Sequence, residues 1–231
     1  MKKLGLLGGM SWESSIHYEA LIHRYVQATL GGVHSADLII RSVDFADIEA
    51  LQAQGAWAEA GEVLAHEAST LERAGAEAIV LCTNTMHKVA PAIERALGVP
   101  LLHIVDPTAA AIARAGLSTI ALIGTAYTME DPFYSDRLAA HQIESITPDK
   151  AERDEIQRII YDELVRGIIS DTSRTFLLLV IDDLMGRGAQ GVVAGCTEIE
   201  LLVTSSDVTV PYFPTTELHA QAAAAWALSS S

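Results

Sequence analysis

Two segments of the chain end in side chains that could exchange protons with a ligand, and they align without a gap. Segment 74–84 reads Ala-Gly-Ala-Glu-Ala-Ile-Val-Leu-Cys-Thr-Asn, and segment 187–197 reads Arg-Gly-Ala-Gln-Gly-Val-Val-Ala-Gly-Cys-Thr. Each contains a glycine that ends a helix, a short apolar strand and then small polar residues. The alignment makes Thr83 the counterpart of Cys196. Because ligands bind at the carboxyl ends of parallel strands, this duplication suits chemistry that must reach one atom from two sides.

Strands that alternate with helices would position these strand ends, and the chain shows that alternation. Apolar strands are predicted at 4–8, 37–43, 78–82, 100–104, 119–123, 191–194 and 208–210. Helices are predicted at 11–30, 56–73, 86–97, 132–141, 149–169, 172–185, 197–202 and 217–228, with a further helix opened by Asp106-Pro107. The alternation predicts an α/β fold in which helices cover both faces of parallel sheets.

A second duplication divides the chain into two halves. Leu6-Leu7-Gly8 ends the first strand of one half, and Leu122-Ile123-Gly124 ends the first strand of the other. We therefore expect two pseudo-symmetric, three-layer α/β/α half-domains. The first would be formed by residues 1–103 plus 214–231, and the second by residues 104–213.

The composition limits the classes of partner. With 50% apolar residues the chain can bury a core, and its formal net charge of −15 argues against nucleic acid and anionic membrane surfaces, which bind basic patches. No run of about 18 apolar residues is present to span a membrane. The apolar stretch after Met1 is too short for a signal peptide.

The two cysteines, Cys82 and Cys196, read as free thiols, so a soluble cytoplasmic protein is expected.

Three motifs together resemble the aspartate/glutamate racemases that work without pyridoxal phosphate. They are Gly8-Gly9-Met10-Ser11, Cys82-Thr83-Asn84-Thr85-Met86-His87 and Gly195-Cys196-Thr197-Glu198, and the resemblance covers essentially the whole chain. It implies an active site between the two half-domains, a homodimer, and a cofactor-free proton transfer at the α-carbon of an amino acid. No trio of His and carboxylates has metal-ligand spacing, and neither a metal nor a cofactor is expected.

The chemistry of such a reaction explains why these residue types are needed. To invert an α-carbon, one group removes the proton from one face while another donates a proton to the opposite face. A thiol has an ordinary pKa of about 8.5 and becomes a competent base when neighbouring dipoles lower that value. The carbanion needs its carboxylate held by donors. The side chains of Asn84, Thr85 and Thr197, together with backbone amides after the two strand ends, could supply them.

One position departs from the family pattern. In the family a cysteine directly precedes Asn-Thr, whereas here Thr83 does and Cys82 lies one position earlier. A shift of one residue at a strand end turns a side chain to the opposite face, so Cys82 is expected to point into the core. Thr83 and Cys196 are therefore the expected catalytic pair. Because threonine is a far weaker base than cysteine, the enzyme should process one enantiomer well and the other slowly.

Four other residues are candidates for substrate contact. Met10 follows the first strand and is expected to border the pocket. Gln52 is placed in the loop after the second strand, where relatives can carry a basic residue that binds the distal carboxylate of the substrate. It is either a substrate contact or a solvated loop residue. Since no Lys or Arg occurs at 44–62, a neutral amino acid such as homoserine is an alternative to aspartate and glutamate. Glu163 could hold the substrate ammonium or lie on an ordinary exposed helix face. Glu198 is a site residue by the resemblance, and would in any case stabilise a helix start.

Four polar residues near the same strand ends are expected to have structural roles. Ser11 is predicted to cap the first helix, and Thr125 to take part in a turn. His87 and His103 lie near strand ends without partners of metal-ligand spacing, and a lone histidine in such a place is typically structural.

The residues leave other functions open. Hydantoin racemase, maleate isomerase and arylmalonate decarboxylase share the same superfamily and cysteine chemistry but differ in what happens at the carbon. A non-catalytic, two-lobed binding protein belongs to a different class, although binding alone explains the position of Cys196 poorly.

Overall fold

The structure, a computed structural model, describes residues 1–229, which form two compact units. Unit 1 comprises Met1–Ile104 and the chain from His219 onward, and unit 2 comprises Val105–Leu218. The sequence places the divisions after residues 103 and 213, whereas the contacts place them after Ile104 and Leu218. Ser230 and Ser231, which the predicted first half-domain includes, lie outside the described residues.

Unit 1 is built on a four-stranded parallel sheet with the strand order β2-β1-β3-β4. Its elements are β1 (Leu4–Gly8), α1 (Trp12–Leu30), β2 (Leu38–Ser42), α2 (Phe45–Ala53), α3 (Trp57–Arg73), β3 (Ala78–Leu81), a 3-10 helix (Thr85–Val89), α4 (Ala90–Ala96) and β4 (Leu101–Leu102).

Unit 2 repeats this plan with the strand order β6-β5-β7-β8, again all parallel. Its elements are α5 (Val105–Arg114), β5 (Thr119–Gly124), α6 (Ala126–Glu130), α7 (Pro132–Ala140), β6 (Glu144–Ile146), α8 (Lys150–Arg158), a π-helical turn (Ile159–Glu163), a 3-10 turn (Leu164–Arg166), α9 (Asp171–Gly186), β7 (Val192–Gly195), α10 (Ile199–Leu202) and β8 (Tyr212–Pro214). The last helix, α11 (Thr215–Leu228), begins in unit 2 and continues in unit 1. The predicted α/β fold with two similar parallel sheets is confirmed.

The registers of the two sheets confirm the gap-free alignment of the sequence. In unit 1, Leu7 of β1 lies opposite Leu81 of β3. In unit 2, Ile123 of β5 lies opposite Ala194 of β7. Leu7 corresponds to Ile123, and Leu81 to Ala194, in the two duplications. Residues at equal distances after Leu81 and Ala194 therefore occupy equivalent positions, and Thr83 is the counterpart of Cys196.

Helices cover both faces of the unit 1 sheet. Leu6, Val80 and Cys82 face one apolar cluster that also contains Tyr18 of α1 and alanines of α11. Leu7, Ile79 and Leu81 face a second cluster on the other side, supplied mainly by α3. This alternation is the two-residue period of a strand, and it assigns each residue near the end of β3 to one face. The core of unit 2 packs β5 and β7 against α8 and α9.

Two predicted elements are wrong in extent or position. The predicted helix 149–169 is α-helical only to Arg158. The helical turns that follow end at Gly167, whose φ of 73° is in the left-handed region and cannot continue a right-handed helix. The predicted strand 208–210 is displaced to Tyr212–Pro214. Asp207 accepts hydrogen bonds from the amide and hydroxyl of Thr204, and this turn delays the start of the strand.

Three short elements are absent from the sequence prediction. They are α2, α6 and β6, each of nine residues or fewer. Asp44 begins α2 by accepting a hydrogen bond from the Ala46 amide at 3.1 Å, so the segment predicted as a loop continues as a helix. No helix within residues 1–229 combines the length and the apolar character needed to cross a bilayer.

We predict that Gly124 is required for the close approach of β5 and β7. A Cβ atom at Gly124 would lie 2.7 Å from the carbonyl oxygen of Gly195, which is backbone and cannot rotate away. Gly124→Ala should lower the free energy of unfolding by about 1–3 kcal/mol in urea denaturation. Gly186→Ala, where a Cβ meets nothing within 4 Å, is the matched control and should leave stability unchanged or raise it by up to about 1 kcal/mol. Equal effects of the two substitutions would contradict this explanation.

Candidate active site

The end of β3 in unit 1 presents three consecutive polar side chains that are almost fully buried. They are Thr83, Asn84 and Thr85, and none is more than 7% exposed. The amide of Thr83 donates to the carbonyl of Leu81 at 2.9 Å, which turns the chain sharply at the end of the strand. The 3-10 helix then begins, so the polar residues lie where the chain leaves the sheet.

Cys82 points away from these residues into the core. It is fully buried, its Sγ lies 3.6 Å from the carbonyl oxygen of Val80, and burial raises the pKa of the thiol. The prediction that Cys82 lies in the core is confirmed. A thiol that is both sealed from solvent and hard to ionise is poorly suited to acid–base work.

Cys196 in unit 2 is the counterpart of Thr83 and lies beside a carboxylate. Its Sγ donates to Oε2 of Glu198 at 3.0 Å, and the hydroxyl of Thr197 donates to the same oxygen at 2.8 Å. Both Cys196 and Glu198 are less than 8% exposed. The sequence predicted all three as site residues, and unit 2 brings them together in one hydrogen-bonded group.

Opposing effects act on the acidity of the Cys196 thiol. Burial raises its pKa most, and the charge of Glu198 and the hydrogen bond to it raise the pKa further. Hydrogen bonds from the backbone amides of Glu198 and Ile199 act in the opposite direction, because they stabilise the thiolate. The resting sulfur is therefore a protonated thiol with a proton acceptor in contact, and a thiolate would be held by two backbone donors.

A hydroxyl pair follows the first strand of each sheet. In unit 1 the hydroxyls of Ser11 and Ser14 lie 3.1 Å apart, and Ser11 caps α1. In unit 2 the hydroxyls of Thr125 and Thr128 also lie 3.1 Å apart, and Thr125 caps α6. The helix cap predicted at Ser11 is confirmed, whereas Thr125, predicted to take part in a turn, instead caps a helix. Each unit thus has a buried pair of hydroxyls at this strand end.

Gln52 does not lie in a loop. It is near the end of α2, only 4% exposed, and its Nε2 lies 2.9 Å from Sδ of Met86. The loop assignment was wrong because the Asp44 cap starts a helix that the weak apolar pattern of the segment does not show. Met10 is also buried, in the cluster that contains Leu7. Contact of Gln52 or Met10 with substrate stays a prediction.

Glu163 carries a carboxylate with two protein partners in unit 2. Nη2 of Arg158 lies 2.9 Å from one oxygen, and the hydroxyl of Ser173 donates to the other at 2.5 Å. The hydrogen bond from Ser173, followed by that from Arg158, lowers the pKa of Glu163. The carboxylate is thus held ionised and oriented; its contact with a substrate ammonium stays a prediction.

Two polar residues near the strand ends were not predicted as site residues: Glu200 has no predicted role, and His87 was expected to be structural. Glu200 of α10 is half-buried, accepts a hydrogen bond from the Thr216 amide at 3.0 Å, and burial raises its pKa to about 8. A sequence signal existed, since Glu200 interrupts the apolar run that forms α10. His87 hydrogen-bonds the backbone of Thr83 at 2.7 Å, a contact that spacing alone did not suggest.

The class of protein is defined by a duplicated α/β fold in which equivalent strand ends carry a hydroxyl and a thiol. The family model for Asp/Glu/Hydantoin racemases matches residues 7–223, and the chain belongs to that family of cofactor-independent racemases.

Solved structures agree with this family. A Yersinia pestis protein assigned to the Asp/Glu racemases is 56% identical, with a TM-score of 0.93, over 99% of this chain and 100% of that one. An aspartate racemase homologue from Pyrococcus horikoshii is 31% identical, with a TM-score of 0.86, over 99% and 100% of the two chains. A glutamate racemase from Francisella tularensis, solved with D-glutamate, shares the fold at 13% identity, with a TM-score of 0.67, over 97% and 80%.

We predict that Glu198 suppresses ionisation of Cys196 in the resting protein. In a Cys82→Ala background, Glu198→Gln should move the pH profile of iodoacetamide alkylation to lower pH, because the substitution removes the negative charge that raises the thiol pKa. The alkylation rate at neutral pH should rise severalfold. The same background with Glu198 intact is the control, and coincident profiles would show that the carboxylate does not govern the sulfur.

We predict that Glu200 makes the protein less stable as the pH rises. Its pKa of about 8 lies above the value of about 4.3 expected in an unfolded chain, so the folded state binds more protons between those values. The free energy of unfolding should therefore fall from about pH 4.5 to pH 8. Glu200→Gln should remove that loss and stabilise the protein by at least about 1 kcal/mol at pH 8. The exposed Glu94, substituted in the same way, is the control; a slope unchanged by Glu200→Gln would refute the assignment.

Proposed function

We propose that the protein racemises an amino acid by two-base proton transfer, with Thr83 and Cys196 serving opposite faces of one α-carbon. The observation that supports it most strongly is the matched register of the two sheets, which gives Thr83 and Cys196 equivalent places two residues after Leu81 and Ala194. Inversion of an α-carbon requires one proton-transfer group on each of its faces, and a duplicated scaffold can supply one such group from each copy.

The contacts of Cys196 supply the acid–base steps on its side. Glu198 accepts the thiol proton, and the thiolate then removes the α-proton of the substrate. In the reverse direction, the thiol donates its proton to the carbanion. The backbone amides of Glu198 and Ile199 stabilise the thiolate between these events, which lowers the free energy of the charged form where it is needed.

The Thr83 side is chemically weaker. A threonine hydroxyl is a far poorer base than a thiolate, so removal of the α-proton by Thr83 should limit one direction of the reaction. The enzyme is therefore asymmetric: exchange of the enantiomer processed by Cys196 is fast and that of the other is slow. Asn84, Thr85 and Thr197 complete the proposed substrate contacts by binding the carboxylate.

The substrate class has two candidates. The family and the aspartate racemase homologue at 31% identity favour aspartate or glutamate. The segment 44–62 contains no Lys or Arg, and Gln52 within it is a buried neutral amide, which favours a neutral amino acid such as homoserine. Glu163 would hold the substrate ammonium. We further propose a cytoplasmic homodimer, on the strength of the family alone.

Exchange in deuterium oxide tests this proposal. Each enantiomer of aspartate, glutamate, glutamine and homoserine would be incubated with the enzyme, and loss of the α-proton followed by NMR alongside chiral analysis. We expect one deuterium at the α-carbon together with inversion. Release of carbon dioxide would instead identify a decarboxylase.

Three substitutions test which side chains transfer the α-proton. Cys196→Ala should lower racemisation by at least about 10²-fold because it removes the stronger base. Thr83→Val should slow exchange of one enantiomer selectively, and Cys82→Ala, a thiol in the core, is the matched control that should retain activity. A folded but inactive Cys82→Ala beside an active Thr83→Val would reverse the assignment.

A further inference from the structure

We propose that His87 is a positioning residue that fixes the backbone of Thr83 for proton transfer. This inference rests on the proposed function, because it assigns to His87 an effect on the Thr83 side of that reaction. His87 is only 1% exposed and belongs to the 3-10 helix that follows Thr83. It contacts two neighbouring chain segments, one through each ring nitrogen.

The first ring nitrogen contacts the backbone of Thr83, the residue that carries the proposed base. Nδ1 of His87 lies 2.7 Å from the carbonyl oxygen of Thr83. A carbonyl oxygen can only accept, so Nδ1 carries a hydrogen and donates it. This is a short and buried hydrogen bond, and it acts on the very residue whose hydroxyl is proposed to exchange a proton with substrate.

The second ring nitrogen fixes the tautomer. The backbone amide of Ile104 donates to Nε2 of His87 at 3.2 Å, and an N–H group can only donate. Nε2 must therefore accept, which leaves His87 as the neutral tautomer protonated at Nδ1. The ring thus ties the turn after β3 to the chain that follows β4, and rotation of the ring would break both contacts.

The hydrogen bond to Thr83 orients a whole peptide group. A trans peptide is planar, and its N–H points opposite to its C=O. When His87 holds the carbonyl of Thr83, it also sets the direction of the Asn84 amide, which points to the other side of that plane. Thr83 and Asn84 are the proposed base and a proposed carboxylate donor, so one buried ring orders both in advance of substrate binding.

A second buried histidine in unit 1 offers a matched control. The ring of His219 lies 5.8 Å from that of His87, while its own hydrogen bonds go elsewhere. Its Nε2 donates to the carbonyl of Leu102 at 2.7 Å, and its Nδ1 lies 2.9 Å from the hydroxyl of Tyr18. His219 is fully buried, so its loss disturbs the same core without releasing the Thr83 backbone.

The test compares deuterium exchange of the two enantiomers at saturating substrate. Thr83→Val first identifies the enantiomer whose exchange depends on Thr83. His87→Leu should slow exchange of that enantiomer by about 10- to 100-fold, because the base is no longer held in place, and change the other by less than about threefold. His87→Asn keeps a donor near the Nδ1 position and should restore most of the lost rate. His219→Leu should lower thermal stability without changing the ratio of the two rates.

The outcomes separate this inference from the proposed function. If Thr83→Val affects neither enantiomer selectively, the two-base assignment itself fails. If Thr83→Val is selective but His87→Leu slows both enantiomers equally, or neither, then His87 does not position the base. Nitrogen-15 NMR of the unsubstituted protein gives a readout that needs no folded variant. A neutral Nδ1-protonated signal assigned to His87 is expected, and an Nε2-protonated or cationic ring would overturn the proposal.

Discussion

The pairing register between the first and third strands of each sheet is the constraint on which the rest of this structure depends. Small residues allow that pairing to be close at its carboxyl end, as the approach of Gly124 to Gly195 shows. Once the register is set, the residues two positions after Leu81 and Ala194, which are Thr83 and Cys196, have equivalent places. A hydroxyl in one unit and a thiol in the other therefore occupy equivalent positions, although their chemistry has diverged.

Much of this could be predicted from the sequence, because duplication and strand periodicity are repeated signals. The burial of Cys82 followed from the two-residue period of a strand and one internal alignment. Gln52 was placed wrongly, since a single carboxylate cap at Asp44 decides whether that segment is a loop or a helix. The displaced β8 had a similar cause, because side-chain hydrogen bonds from Thr204 to Asp207 have no periodic signature.

The contacts that tune the site were the hardest to foresee. A lone histidine in a sequence carries no information about which backbone carbonyl it meets, so the contact between His87 and Thr83 required the folded chain. Glu200 also required the folded chain, because its raised pKa arises from burial, which its place in the sequence does not reveal. Residue type and spacing indicate what chemistry is available, whereas burial and hydrogen-bond partners decide how strongly each group acts.

The two strand ends differ in the physical means by which a proton-transfer group can be adjusted. The ionisation of a thiol responds strongly to its surroundings, and Cys196 is accordingly set by burial, by the charge of Glu198 and by backbone amides. A threonine hydroxyl gains little from such adjustment, because no ordinary environment makes it ionise near neutral pH. On the Thr83 side, the orientation of the hydroxyl is therefore the property that the protein can adjust. In our proposal, the buried ring of His87, hydrogen-bonded to the Thr83 carbonyl, is the counterpart in unit 1 of the Glu198 carboxylate that contacts the Cys196 sulfur in unit 2.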